Sequence, residues 1–239
     1  MKKTFLLVAI LLIFSSLHSQ NLMFGLKSGV GSYSMKDMKD FNRYFVSNLS
    51  FANKLTDDFP ANYYFQPEVL FNYQHLTFGY SFAFYSTGSR IASNDYSANF
   101  NMDDVLNCYS HGFIFEYVFY RASLFDFSVY SRFSFENTKL KITNNLMVVA
   151  EDTLLQTKYS YRTKSNSTEP GIAISYDYKF LKIKYYAGYM FSIMTDGFTS
   201  DDEKKQKVYN PYTRNQLKPD WSGFRTGISV YFMFSLKRN

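Results

Sequence analysis

The stretch LTFGYSFAF, residues 76–84, alternates bulky apolar side chains with small or polar ones. Side chains of a β-strand point alternately to its two faces, so the pattern predicts a strand with one aromatic face and one face of small groups. The five bulky positions span nine residues. A tilted strand needs roughly 9–11 residues to cross a bilayer. The stretch therefore has the length and the amphipathicity of a membrane-spanning strand.

The same alternation recurs along the chain. Eight segments carry it, at 22–33, 62–73, 76–87, 107–120, 124–136, 170–180, 183–194 and 223–237. Their bulky faces hold forty large residues together, whereas the opposite faces hold glycine, serine and charged residues. An eight-stranded barrel has an interior just wide enough for side chains to fill, so the bulky faces must point outward, to lipid. The sequence predicts an all-β fold, an eight-stranded antiparallel up-and-down transmembrane β-barrel.

The connections between these segments alternate between short and long. Short turns are predicted at 74–75, 121–123 and 181–182, and long connections at 34–61, 88–106, 137–169 and 195–222. This alternation is typical of a meander of hairpins with both chain ends on the tight-turn side. We expect the four long connections to be extracellular loops. Tyrosines near the tight turns predict an interfacial girdle, namely Tyr73, Tyr117, Tyr120, Tyr176, Tyr178, Tyr185 and Tyr186.

The third long connection allows two interpretations. TKLKIT at 138–143 and LMVVA at 146–150 flank Asn144-Asn145, which is a hairpin signal. These segments either extend the fifth and sixth strands beyond the membrane or add a hairpin that makes ten strands. The polar character of 151–169 favours the extension.

Near the start of the chain, Lys2 and Lys3 precede an apolar run that reaches Phe14. Small and polar residues follow this run. This pattern predicts a secretory signal peptide at 1–19, with residues 20–239 forming the barrel domain. Its removal lowers the formal net charge from +6 to +4. The remaining charge is spread along the chain, so no nucleic-acid partner is expected. The one cysteine, Cys108, excludes an intramolecular disulfide, and no cofactor or metal site is predicted.

Several of these segments together resemble a known group of proteins. The stretches are the signal peptide, FGLKSGVGSY, FPANYYFQPEVLFNY, STGSR and FRTGISVYFMFSL. They resemble the small outer-membrane β-barrel proteins of diderm bacteria, of the OmpX-like and PorT-like kind. The resemblance implies an outer-membrane location and insertion by the outer-membrane assembly machinery, helped by the aromatic C-terminal strand.

The inward faces of the predicted strands hold the candidate site residues, Glu68, Glu116, Arg132 and Arg225. Buried charges must be paired or hydrated, so we expect Glu68, Glu116 and Arg132 to join an interior polar network. A turn at 121–123 predicts that Glu116 pairs with Ser128 and Gly112 with Arg132. The network is either a plug that holds the barrel together or a narrow polar path for a small solute.

Features outside the lumen suggest further roles. His111 falls on the lipid-facing register next to Ser110, which invites comparison with outer-membrane enzymes that trim lipid, but Ser110 points inward and no acid accompanies the histidine. MKDMKDFNRYFVSNL has Met35, Met38, Phe41, Phe45 and Leu49 at helical spacing, which predicts a helix that caps the barrel mouth, lies at the interface or binds a partner. Asp201, Asp202 and Glu203 lack the spacing of a calcium loop.

These observations predict a non-enzymatic structural or surface-interaction barrel with a plugged lumen. A narrow channel for ions or small solutes is the alternative, and a lipid-modifying enzyme is the second alternative. The expected partners are outer-membrane lipid, the assembly machinery during insertion and an extracellular partner bound through the long connections. We expect a monomer.

Overall fold

The computed structural model describes residues 20–48, 54–94, 96, 98–148, 153–202 and 205–235. The predicted signal peptide at 1–19 lies outside the described residues, as do Leu49 and Glu203. The elements in chain order are β1 (Gln20–Gly31), α1 (Lys36–Asn48), β2 (Lys54–Asp58), β3 (Asn62–Tyr73), β4 (Leu76–Asn94), β5 (Ala98–Arg121), β6 (Phe125–Val148), β7 (Thr153–Tyr178), β8 (Leu181–Thr195), β9 (Thr199–Ser200) and β10 (Gly223–Ser235).

Eight of these strands form a closed antiparallel ring. The order around it is β1, β3, β4, β5, β6, β7, β8 and β10, and β10 pairs again with β1. The short strands β2 and β9 lie outside the ring and pair with β4 and β7. The prediction of an eight-stranded up-and-down barrel is confirmed, and the ten-stranded alternative is not observed.

The outer surface of the ring is apolar. Apart from Leu236, which lies outside the described residues, none of the forty predicted outward-facing side chains is buried, and most are exposed, such as Phe115 at 62%. The interior instead holds serine, lysine, arginine and glutamate. An apolar exterior, a polar interior and a ring without free edges are the features of a transmembrane β-barrel. In the described part of the chain, no helix is long and apolar enough to span a membrane.

One tyrosine of the predicted girdle is placed wrongly. Tyr186 is 2% exposed and lies inside the barrel, where its hydroxyl accepts a hydrogen bond from Tyr64. It follows Tyr185 on β8, so the two side chains point to opposite faces. Tyr185 is exposed, as predicted.

Two of the four predicted long loops are strands. Among the described residues of 88–106, all except Tyr96 belong to β4 or β5, and the described residues of 137–169 belong to β6 and β7. The extension of strands five and six is therefore observed. Their ladders continue without interruption past the aromatic band, from Tyr109↔Asn137 to Ala98↔Val148. A wall of four strands thus projects beyond the rest of the ring at the end opposite the tight turns, which we call the loop end.

Two predicted registers are wrong by two residues. Glu116 lies opposite Tyr130, not Ser128, and Gly112 lies opposite Ser134, not Arg132. The turn pairs Arg121 with Asp126, which moves the register by three residues, and the bulge between Val118 and Tyr120 moves it back by one. The turn between β7 and β8 uses Lys179 and Phe180 instead of 181–182. A shift by two leaves every side chain on its predicted face, because the alternation has period two.

The two remaining long connections close the loop end. After β1, Ser34 and Met35 donate backbone hydrogen bonds to Ser222 and Asp220, and the chain then turns into α1. Met38 and Phe41 of α1 are buried and Phe45 packs against the same cluster, so the predicted helix caps the barrel mouth. The cluster includes Trp221 from the last connection.

Candidate functional site

The four predicted site residues all lie inside the barrel. Glu68 is 5% exposed, Glu116 6%, Arg132 1% and Arg225 0%. They come from β3, β5, β6 and β10, so the site draws on strands from all around the ring. Each sits at an inward position because its strand alternates strictly.

None of these four residues pairs directly with another of the four among the described residues. Their ion-pair partners are other residues of the barrel interior. Lys184 Nζ lies 2.5 Å from Glu116 Oε2, and Glu169 binds Lys27 at 3.0 Å and Arg225 at 3.4 Å. Arg132 instead donates to two hydroxyls, Ser81 and Ser110, each at 2.8 Å.

Tyrosines connect these charged groups. Tyr130 donates to Glu169 at 2.9 Å, and Tyr231 donates to Glu68. Lys27 Nζ lies 3.7 Å from the centroid of the Tyr186 ring, and the Arg225 guanidinium lies 4.4 Å from that of Tyr85. Ring faces attract desolvated cations, so the rings contribute to stabilising charges that the barrel removes from water.

A further carboxylate belongs to the same interior. Glu136 accepts hydrogen bonds from the hydroxyls of Tyr85, Ser165 and Ser167, at 2.6, 2.7 and 2.6 Å. The mid-barrel interior then balances four cations, Lys27, Arg132, Lys184 and Arg225, against four carboxylates, Glu68, Glu116, Glu136 and Glu169. These eight formal charges cancel, and Lys182, which is also buried, pairs separately with Asp126 and Asp177.

The space left between these side chains is small. A cavity of about 20 Å³ is lined by Lys27, Glu68, Glu116, Arg132 and Lys184 together with tyrosines. A cavity of this size holds about one water molecule. Met23, Leu70, Ile114 and Tyr231 form an apolar cluster beside this cavity, and the last three of them line it. The lumen is packed rather than open.

Four charged residues of the mid-barrel interior are missing from the predicted site, namely Lys27, Glu136, Glu169 and Lys184. Glu136 is the last residue of the predicted strand 124–136. Glu169 is the last residue of the predicted connection 137–169, where alternation assigns no face. Lys27 and Lys184 stood on inward registers, but no partner for them was visible in the sequence. Strand alternation could have found these two lysines, whereas their pairing depends on registers.

A buried carboxyl group lies under α1 at the loop end, beyond the aromatic band. Asp104 is 1% exposed, Ser89 donates to it at 3.3 Å, and Asn42 of α1 donates to Ser89 at 2.5 Å. Burial, helped by the nearby charge of Asp103, raises the pKa of Asp104 to about 7, although hydrogen bonds from Ser89 and Asn42 oppose the shift. As the pH rises, the unfolded chain therefore loses the Asp104 proton near pH 3.8, whereas the folded protein keeps it until about pH 7.

We expect stability to fall as the pH rises through about 7 because of this group. Between pH 5 and pH 8 the loss is about 2–3 kcal/mol relative to Asp104→Asn, whose side chain does not titrate. The measurement is urea unfolding of the refolded protein in micelles at both pH values, for the wild type and the variant. A constant difference between the two proteins across this range would contradict the assignment.

The candidate residues outside the lumen do not come together in one site. His111 faces outward, bonded to the Tyr80 hydroxyl at 2.8 Å and stacked on Phe135, while Ser110 is buried against Arg132. His75 lies in a tight turn. Asp201 forms ion pairs with Arg162 at 2.8 Å and Lys139 at 3.4 Å. Among the described residues, no cluster of three or more His, Cys, Asp or Glu side chains is arranged to hold a metal ion.

No protein-family model matches the chain, and no curated protein matches it. Solved structures do. The outer membrane protease OmpT from Escherichia coli aligns with 92% of this chain and 98% of its own, at 10% identity and a TM-score of 0.43. Ail, the attachment invasion locus protein of Yersinia pestis, aligns with 91% of this chain and 99% of its own, at 10% identity and a TM-score of 0.34. At these values the likeness carries no activity over to this chain.

Proposed function

We propose that this chain is an integral outer-membrane β-barrel protein of a diderm bacterium, with a plugged lumen and a non-enzymatic role at its surface. The apolar exterior supports the membrane location, and the signal peptide predicted at 1–19 supports export. The sequence resemblance supports membership of the OmpX-like or PorT-like barrels. Outer-membrane lipid and, during insertion, the assembly machinery are the partners that this proposal requires.

The filled lumen is the observation that carries the proposal. Its charges are matched, its cavity holds about one water and an apolar cluster packs against that cavity. A conducting path would need a continuous hydrated route past Arg132 and Glu116. The projecting wall and the helix-capped mouth leave the loop end as the surface for an extracellular partner, and we expect the barrel to act as a monomer.

Single-channel recording tests this directly. We expect the refolded mature chain to insert into planar bilayers and to show no discrete openings, because the interior leaves no water-filled path. Arg132→Ala is compared with Arg121→Ala, which removes an exposed arginine at the tight-turn end. Heat-modifiable gel migration confirms that each protein is folded and inserted.

Two results would contradict the proposal. Stable wild-type openings whose conductance changes in Arg132→Ala but not in Arg121→Ala would make the lumen a selective path. Release of fatty acid from the bilayer lipid, lost in His111→Ala, would make the protein a lipid-modifying enzyme.

A further inference from the structure

The outer surface of the projecting wall carries a cluster of cations on two neighbouring strands. We call Lys139, Lys141, Lys158, Arg162 and Lys164 the basic patch. Lys139 lies directly opposite Arg162 in the β6–β7 ladder. Lys164 lies opposite Asn137, one row further along the same face. Directly opposed side chains on one face are about 5 Å apart at Cβ, so like charges here repel each other. The patch is therefore unfavourable unless an anion lies against it.

The protein supplies only part of that negative charge. Asp201 lies between Arg162 and Lys139, at 2.8 and 3.4 Å, and the Ser160 hydroxyl and these two cations hold the pKa of Asp201 below its usual value although burial opposes this. Lys141, Lys158 and Lys164 are exposed and form no ion pair with any residue that the structure describes. Three exposed cations without a direct ion pair are left on one side of the barrel.

The patch lies immediately beyond the lipid-facing surface. On β6 the outward side chains run from Phe125 to Phe135 and then change to Asn137, Lys139 and Lys141. Phe135 and His111 line a groove of about 400 Å³, and Lys164 and Asn137 border its upper end. Lys164, Arg162 and Lys207 line an adjoining groove of about 490 Å³, which also contains the acidic side chain of Asp196.

The two grooves adjoin along the outer surface of the wall. The first groove is apolar where it meets the lipid-facing surface, and the second groove is lined by cations. A phosphate group at the height of Lys164 would place attached acyl chains against Phe135 and Phe133, where the barrel already faces lipid. We propose that the basic patch, through Lys164 at its membrane-proximal end, binds the phosphate headgroup of an anionic lipid in the membrane leaflet at the loop end, and that its other cations add to the attraction. This inference rests on the proposal that the barrel spans a membrane.

Other occupants fit the position less well. A free anion would not require an apolar groove below the cations. A soluble acidic protein would have to bind at the height where lipid headgroups surround the wall. Basic side chains next to a membrane-spanning surface gain from anionic headgroups, and pockets of this composition are typical headgroup sites.

Native mass spectrometry of the protein in zwitterionic micelles tests the proposal. The probes are phosphatidic acid, phosphatidylcholine with the same acyl chains, and inorganic phosphate. The test variant is Lys141→Gln/Lys158→Gln/Lys164→Gln. The control is Lys36→Gln/Lys54→Gln/Lys218→Gln, which makes the same change of net charge with exposed lysines also at the loop end.

We expect one phosphatidic acid to bind the wild type and the control at about a tenfold lower concentration than phosphatidylcholine. The test variant should lose most of this preference. Equal binding by the two variants would overturn the proposal, and inorganic phosphate that binds as well as phosphatidic acid would identify a free-anion site instead. Heat-modifiable gel migration of every variant separates these outcomes from a failure of the barrel to fold into the micelle, which would contradict the proposed membrane function itself.

Discussion

Replacing Glu169 by glutamine is expected to lower the free energy of unfolding by about 3–5 kcal/mol. Glu169 is 1% exposed and is the carboxylate that pairs with both Lys27 and Arg225. Its loss would leave two buried cations without a counter-charge. Removing one partner of a buried ion pair is far more costly than removing a surface pair, because the remaining charge keeps its full desolvation penalty.

The measurement is urea unfolding of the refolded barrel in vesicles, followed by circular dichroism. Asp103→Asn is the matched control, because it breaks an ion pair with Arg90, whose side chain is 56% exposed. We expect this control to lose no more than about 1 kcal/mol. Equal losses in the two variants would mean that the interior charges are hydrated and that the lumen is not a packed plug.

A second substitution separates charge from packing. Lys27→Met in the Glu169→Gln background removes one of the two unpaired cations and keeps a side chain of similar length. Stability should recover in part, because only Arg225 then lacks its carboxylate, and that guanidinium still lies against the rings of Tyr64 and Tyr85. If the double variant is less stable than the single one, shape and not charge determines the effect.

Strand alternation was enough to predict the faces of the barrel and the strand count. Phe78, Phe115 and Phe232 face outward and Glu116 and Arg132 inward, because these assignments depend only on a period of two. The alternation of side chains does not determine which residues pair across neighbouring strands. The longer turn, which pairs Arg121 with Asp126, and the bulge after Val118 together shift the β5–β6 pairing by two residues without moving any side chain to the other face.

The pairing partners in the lumen could not be predicted for this reason. Which cation meets Glu116 depends on how far β5 and β8 are staggered around a closed ring, and this quantity depends on all eight registers together. The sequence therefore predicts that Glu116 must find a partner but not that Lys184 is this partner. The polarity of 151–169 correctly favoured an extension over a second membrane-spanning hairpin. It did not show where β7 begins, because a wall that projects from the membrane faces water and has polar side chains like a loop.

Trp221→Ala is expected to lower the free energy of unfolding by about 3–5 kcal/mol, an effect as large as that of Glu169→Gln. Trp221 is fully buried where the last connection enters the barrel mouth. Its ring packs edge-to-face on Tyr33 and Tyr85, with centroids 4.9 and 4.8 Å away, and its Nε1 donates to the Thr138 hydroxyl at 2.9 Å. Its removal leaves a cavity between α1, the last connection and the inner wall.

The variant also has a local consequence that a uniform loss of stability would not produce. Met35, just before α1, bonds through its backbone to Asp220, next to Trp221, so both connections at the loop end should loosen together. Limited proteolysis should then cleave at 205–222 several times faster than in the wild type, while the strands stay protected. Tyr212→Ala is the control within the same segment, because Tyr212 is 56% exposed and contacts Tyr44 on the outer side of α1. Cleavage at the same rate in both variants would mean that Trp221 does not hold the mouth closed, and that the helix and the last connection are each anchored to the wall by their own contacts.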